Sequence, residues 1–185
     1  MSEVLPDGWF FTNLGTISNI IGGGTPKSSE ESNFCQPPNG IPWLTPADLS
    51  GYKEKYISNG RRNLTEHGYS SCSAKLVPQD TILFSSRAPI GYVAMAKRPI
   101  TTNQGFRSIV PVVDISASFL YYFMKESKNK VERLASGSTF KEISGTKLKV
   151  RVPSVNLLEY PVFYFFFINK PIFRHPDLHN FQTLI

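Results

Sequence analysis

The chain has 185 residues, of which 41% are hydrophobic and 18% charged, and a formal net charge of +6. That balance excludes a disordered chain and a membrane-spanning one, and the length is enough for one domain, or one domain with an extension, to bury a core without metal or disulfide help. The charge is uneven: residues 1–74 carry 5 basic and 7 acidic side chains, residues 75–151 carry 13 and 5, and residues 152–185 carry 2 and 2. Clustered positive charge favours phosphate through counterion release, although a solvated basic surface without a partner has the same composition. Cys35 and Cys72 form no CxxC pair, and Met1 to Leu14 has no basic stretch followed by an apolar one. Reduced thiols, no zinc site, no signal peptide and a cytoplasmic location are therefore expected.

Trp9 to Ile21 reads as an opening strand followed by a second short apolar segment. Gly22-Gly23-Gly24-Thr25-Pro26-Lys27 interrupts regular structure, the glycines pointing to positive φ angles, and the polar run to Gly40 predicts a long loop. Ile41-Pro42-Trp43-Leu44 is a short extended segment in which Trp43 packs into the core. Thr45-Pro46-Ala47-Asp48 follows as a helix start, with Thr45 as cap, Pro46 at the first helical position and Asp48 at the positive end. Thr65 caps a second helix to about Ala74, weakened by Gly68.

Three strands are predicted in the basic region: Thr81 to Ser85, Gly91 to Ala96 and Gly105 to Val110, bounded by Pro, Gly and Asn turns. The clearest helix spans about Ser116 to Ala135. Phe119, Leu120, Phe123, Met124, Val131 and Leu134 fall on one face, with Lys125, Lys128, Lys130 and Arg133 mostly off it, and Gly137 ends it. A last strand, Val150-Arg151-Val152, stops at Pro153. Tyr160 to Ile168 is dense in Phe and Tyr, and its unbroken apolar run of seven residues is far below the roughly 20 that a membrane span requires. These elements predict an α/β or α+β fold, with a twisted, mostly antiparallel sheet and several short helices.

No motif supports catalysis. The triple glycine is not followed by GxxxxGK[ST], and no GxGxxG is present. His175 and His179 are separated by Pro176, His67 stands alone as a surface side chain, and no Gly-x-Ser-x-Gly elbow occurs. Gln36-Pro37-Pro38-Asn39 is only a partial echo of a DNA-methyltransferase motif. Asp80 and Asp114 do not make a nuclease metal cluster. Catalytic residues, metal ligands and cofactors are all expected to be absent.

Six segments, in order, resemble the target recognition domain of the specificity subunits of type I restriction-modification systems. They are Leu5-Pro6-Asp7-Gly8-Trp9; Gly23-Gly24-Thr25-Pro26; Ile41 to Leu49; Leu83-Phe84-Ser85-Ser86-Arg87-Ala88-Pro89-Ile90-Gly91-Tyr92; Thr102-Asn103-Gln104-Gly105-Phe106; and Ala135 to Ser144. The resemblance covers roughly residues 5 to 153. It implies a non-catalytic, double-stranded-DNA-reading subunit that holds adenine methyltransferase subunits, with a motor-nuclease subunit able to join. S-adenosylmethionine would belong to the methyltransferase partner, and no membrane is involved. After Val152-Pro153 such subunits continue into a long charged pairing helix. Here Leu158-Glu159-Tyr160-Pro161 and a proline-broken tail stand instead, so the expected division is a recognition domain at 1–153 and an atypical tail at 154–185, the whole being half of a specificity subunit. Two other readings stay open: the recognition part of a fused methyltransferase-nuclease, and an inactive remnant.

DNA reading needs Arg, Asn or Gln at base edges, and Lys, Arg and hydroxyls at phosphates. The candidates are Thr25, Lys27, Ser85, Ser86, Arg87, Asn103, Gln104, Arg107, Ser138, Thr139 and Lys141, on predicted turns or at the strand ends beside them. Asn103 is equally explained by turn chemistry, Arg87 by a structural role in its loop, and Ser138, Thr139 and Lys141 by a helix cap with a solvated lysine.

Overall fold

The computed structural model describes residues 9–155 with the exception of 88, 113, 114, 138–140 and 149. Its strands in chain order are β1 (Trp9–Asn13), β2 (Ser18–Gly22), β3 (Phe34–Cys35), β4 (Ile41–Leu44), β5 (Tyr56–Ile57), β6 (Asn63–Leu64), β7 (Ile82–Ser85), β8 (Val93–Ala96), β9 (Thr101–Thr102), β10 (Phe106–Pro111) and β11 (Arg151–Val155). The α-helices are α1 (Leu14–Ile17), α2 (Glu66–Ser70), α3 (Ala117–Glu126) and α4 (Lys128–Leu134), with 3-10 turns at Glu31–Asn33 and Pro46–Leu49. The strands form a five-stranded sheet in the order β2-β10-β7-β8-β5, a four-stranded sheet β3-β6-β4-β9, and a ribbon β1-β11. Among the described residues, only β4–β9 and β5–β8 pair in parallel. The expected α+β fold, mostly antiparallel with short helices, is the one observed.

The five-stranded sheet is covered on both faces. Successive side chains of a strand point to opposite faces. Ile82 and Phe84 of β7, Met95 of β8 and Ile109 of β10 pack with Leu120, Phe123 and Met124 of α3 and Val131 of α4. Leu83, Ala94, Ala96 and Phe106, on the other face, pack with Leu44, Leu49, Ile57 and Ile100. This is why β7 has no solvent face: all four of its residues are buried, so its sequence shows no polar alternation.

Several boundaries differ from expectation. The helix capped by Thr65, whose hydroxyl accepts from the Gly68 N–H at 3.0 Å, ends at Ser70 rather than about Ala74. The predicted helix over 116–135 is two helices that meet at Ser127. A ψ of −1° there, in place of about −42°, re-aims α4: Val131 is fully buried, while Leu134, on the same stripe in the sequence, is 44% exposed. Position 127 lies on the apolar stripe but carries a serine, and that irregularity was the available signal. The final strand does not stop at Pro153. It runs to Val155, with Pro153 opposite Phe11, because β11 has only one partner and the missing proline N–H can face away from the ladder. The polar run 28–40 is not wholly loop, since Phe34-Cys35 pairs with Asn63-Leu64. Trp43 is buried, as expected.

Asp48 fastens the connection after β4. Its Oδ2 accepts from the N–H and the hydroxyl of Thr45, each at 2.7 Å, and its Oδ1 accepts from the backbone N–H and the Nε of Arg61, each at 3.1 Å. The Thr45 side chain thus donates to the carboxylate. Burial pushes the Asp48 carboxyl upward, but the bonds from Thr45 and Arg61 outweigh burial and hold it below the usual carboxylate range. A depressed folded-state value stabilises the fold above the unfolded-state pKa of about 4, and that contribution disappears as pH falls through the folded-state value. Asp48→Asn is expected to lower stability at pH 7 by roughly 1.5–3 kcal/mol, the range for hydrogen bonds to a charged group. Urea titrations from pH 7 to pH 3 will show the loss shrinking toward low pH, where the native carboxylate is itself protonated.

Candidate nucleic-acid interface

Strand register brings distant loops to one end of the five-stranded sheet. In the antiparallel pairs of β10, Arg107 lies opposite Gly22 of β2 and Phe106 opposite Ser85 of β7. The loop after β2, the chain leaving β7 and the turn entering β10 therefore emerge together. A fourth segment joins them: the Ile143 N–H donates to the Ser86 carbonyl at 2.9 Å, and Arg87 is bridged to Glu142.

The glycine loop is seated on the 102–103 backbone. The Gly24 N–H donates to the Thr102 carbonyl at 2.9 Å, and Trp43 Nε1 donates to the Gly24 carbonyl at 3.1 Å. A Cβ on Gly23 would lie 2.1 Å from the Asn103 carbonyl oxygen, and one on Gly24 would lie 2.3 Å from the Ala74 nitrogen. Gly22, Gly23 and Gly24 are not among the glycines with positive φ. The expectation of positive φ is thus corrected: Gly23 and Gly24 require glycine because backbones pack there without room for a side chain, whereas Gly22 has space for one.

Ser85 and Ser86, expected to contact DNA, are both fully buried, and this overturns their assignment as contacts. Ser85 Oγ donates to the Pro89 carbonyl at 2.8 Å and accepts from the Tyr92 N–H at 2.8 Å. Ser86 donates to the Gly105 carbonyl through N–H at 2.7 Å and through Oγ at 3.2 Å. They set the shape of the surface instead of lying on it. Asn103 Oδ1 accepts from the Gly105 N–H at 2.9 Å, which bears out its reading as a turn residue.

The other candidates form the rim. Thr25 Oγ1 donates to Gln104 Oε1, joining the glycine loop to the turn. Lys27 is exposed and pairs with Glu30 at 2.8 Å. Arg107 is mostly internal, with 17% of its side chain exposed; Nη1 donates to the Phe106 carbonyl at 3.0 Å and Nη2 meets Glu142 at 3.2 Å. Arg87 is 46% exposed, and its Nε meets the second oxygen of Glu142 at 3.1 Å. Lys141 is exposed beside them. Ser138 and Thr139 lie outside the described residues.

Two participants went unrecognised in the sequence. Glu142 lies unremarked within the Ala135 to Ser144 segment, yet its carboxylate sits between two arginines. Lys128, read as an off-face helical lysine, runs its aliphatic chain against Gly91, where an added Cβ would be 2.4 Å from Lys128 Cγ. Gly91 belongs to the turn that follows Arg87, so an exposed cation of α4 stands next to the rim. No spacing pattern would have paired either residue with these loops.

The model of the type I restriction modification DNA specificity domain matches residues 6–157. A type I restriction enzyme MjaIX specificity subunit from Methanocaldococcus jannaschii is 42% identical over 152 residues, covering 80% of this chain and 34% of that one. A HindI specificity subunit from Haemophilus influenzae is 29% identical over 160 residues, covering 83% and 34%. The chain thus spans about a third of the length of these relatives. Among solved structures, the HsdS subunit from Thermoanaerobacter tengcongensis superposes with a TM-score of 0.68 at 22% identity, over 89% of this chain and 37% of that one. The S subunit from M. genitalium gives a TM-score of 0.55 at 19% identity, over 82% and 36%. At these identities the structural likeness concerns the fold.

The seating of the glycine loop can be measured. Gly23→Ala must push the 102–103 backbone away and is expected to cost about 1–3 kcal/mol, the usual range for overpacking. Gly22→Ala, whose Cβ would find its nearest neighbour at 3.7 Å, is expected to stay within about 0.5 kcal/mol of the parent. Urea midpoints of the two variants check the contrast.

Proposed function

The chain belongs to the type I restriction-modification DNA specificity family, and from that premise we propose that it is a DNA target recognition module that reads duplex DNA with the loops at one end of its five-stranded sheet. The convergence of Thr25, Lys27, Gln104, Arg87 and Lys141 on that rim carries the reading, because it joins base-reading side chain types to phosphate-binding ones on one surface. Arg87 and Gln104 have the donors and acceptors for base edges. Lys27 and Lys141 are point charges suited to phosphates.

In this reading the module is non-catalytic and needs no cofactor. It directs an adenine methyltransferase subunit, which carries the S-adenosylmethionine, and a motor-nuclease subunit. The proposed recognition domain is residues 1–153, although β11 itself runs on to Val155, and the proposed tail is residues 154–185, whose sequence lacks the heptads of the pairing helix. That tail bears on assembly with the methyltransferase and not on the rim. Among the described residues no helix is long and apolar enough to cross a membrane, and the proposed location is the cytoplasm.

Binding to a randomised duplex library is expected to be weak and strongly salt-dependent. With Lys27 and Lys141 neutralising phosphates at about 0.9 each, the slope of log affinity against log salt should be roughly −2. Lys141→Ala should weaken all sequences alike and make the slope shallower by about one, whereas Gln104→Ala should relax preference at one base position with little change in slope. Fluorescence anisotropy at several salt concentrations, followed by sequencing of the bound fraction, measures both. A salt-independent affinity, or transfer of methyl groups to DNA by the purified chain supplied with S-adenosylmethionine, would overturn the proposal.

A further inference from the structure

We propose that Glu142 is a positioning residue that fixes Arg87 as an end-on reader of a guanine; the proposal rests on the recognition reading above. Glu142 is held from two directions. Its backbone exchanges hydrogen bonds with Ser136, Ser136 N–H to Glu142 carbonyl at 3.0 Å and Glu142 N–H to Ser136 carbonyl at 2.9 Å, and the next residue, Ile143, is bonded to the buried Ser86. Its carboxylate is held by Arg107, itself anchored on the Phe106 carbonyl and largely covered. Arg107 is thus a strut, and one carboxylate oxygen stays on it at 3.2 Å. The other oxygen takes Arg87 through Nε at 3.1 Å.

The choice of nitrogen decides what Arg87 can do. An arginine bound through Nε keeps its two Nη groups at the outer end of the plane, and that pair matches the O6 and N7 acceptors of guanine in the major groove. A free arginine on a loop samples many rotamers. This one is tethered at the base of its guanidinium and still 46% exposed. The same carboxylate argues against a phosphate as the target. Glu142 is itself partly exposed, so a phosphate approaching Arg87 would meet a negative charge alongside the positive one. A base edge carries no net charge and profits from the fixed geometry without that repulsion. Lys27 and Lys141 suit phosphates better.

The test uses the full chain and a randomised duplex library at low salt, with sequencing of the bound fraction. Wild-type protein should enrich a motif with a guanine at one position. Glu142→Gln should reduce the preference for that guanine on the order of tenfold, within the span of one bidentate base contact, while binding of mixed-sequence DNA is unchanged or stronger because a negative charge is gone. Arg87→Lys, which keeps the charge and loses the fork, should lose preference at the same position. Adding Glu142→Gln to Arg87→Lys should cause no further loss, as expected of residues acting as one unit. Urea midpoints of each variant separate a positioning effect from unfolding. Retention of the guanine preference in Glu142→Gln, or an equal loss for every sequence, overturns the proposal and leaves the recognition reading standing. If the wild-type chain enriches no sequence at all, the recognition reading fails and this inference falls with it.

Discussion

The loops at one end of the five-stranded sheet depend on the hydrogen bonds of Ser86. Its N–H and hydroxyl both donate to the Gly105 carbonyl, and its own carbonyl accepts from Ile143, all without solvent. Breaking any of them would leave a buried polar group unpaired, at a cost of about 1–3 kcal/mol each. The end of β7, the turn before β10 and the segment carrying Glu142 are consequently one assembly. Moving one of them displaces the others. The support for these loops comes from buried backbone contacts instead of from long surface side chains.

The glycine loop joins the same assembly by a different route. It has no side chains to interlock, so its backbone lies directly on residues 102–103, and Trp43 fixes it from behind through the Gly24 carbonyl. Thr25 and Gln104 then meet across the seam, and a residue of the first loop and a residue of the later turn act as one polar group. Behind the turn, Pro46 closes on Gly105 from the segment organised by Asp48. The small four-stranded sheet thereby supports the rim, with Thr102 of β9 and Trp43 of β4 both bonded to the glycine loop.

The electrostatics are less simple than a basic surface. Residues 75–151 hold the excess positive charge, and four of their 13 basic side chains, Lys125, Lys128, Lys130 and Arg133, lie exposed on α3 and α4 rather than on the loops. On the rim itself Arg87 and Arg107 share one carboxylate, and Lys27 faces Glu30. Interleaved acids moderate non-specific attraction to any polyanion and orient the bases they pair with. Under the proposed recognition role that arrangement favours discrimination, because a uniformly positive patch would hold all sequences equally well.

Local chemistry was enough to read the segments of this chain. Apolar runs between Pro, Gly and Asn located β4, β7, β8 and β10 to within a residue or two. Thr45-Pro46-Asp48 and Thr65 marked real helical starts, and the apolar stripe from Phe119 to Val131 located the helical layer. The order of short motifs pointed to the family. Each of these signals is written in neighbouring residues, through turn preferences, capping and period. Tertiary structure alone decided which ends meet. Ladder register set Gly22 beside Arg107 and Ser85 beside Phe106, buried two serines that looked like surface hydroxyls, and put Glu142 between two arginines. It also gave the glycines their reason, a close approach of backbones in place of an unusual φ. Such contacts join residues far apart in the chain, and the energy that selects them comes from burying both faces of one sheet at once, which no short stretch of sequence records.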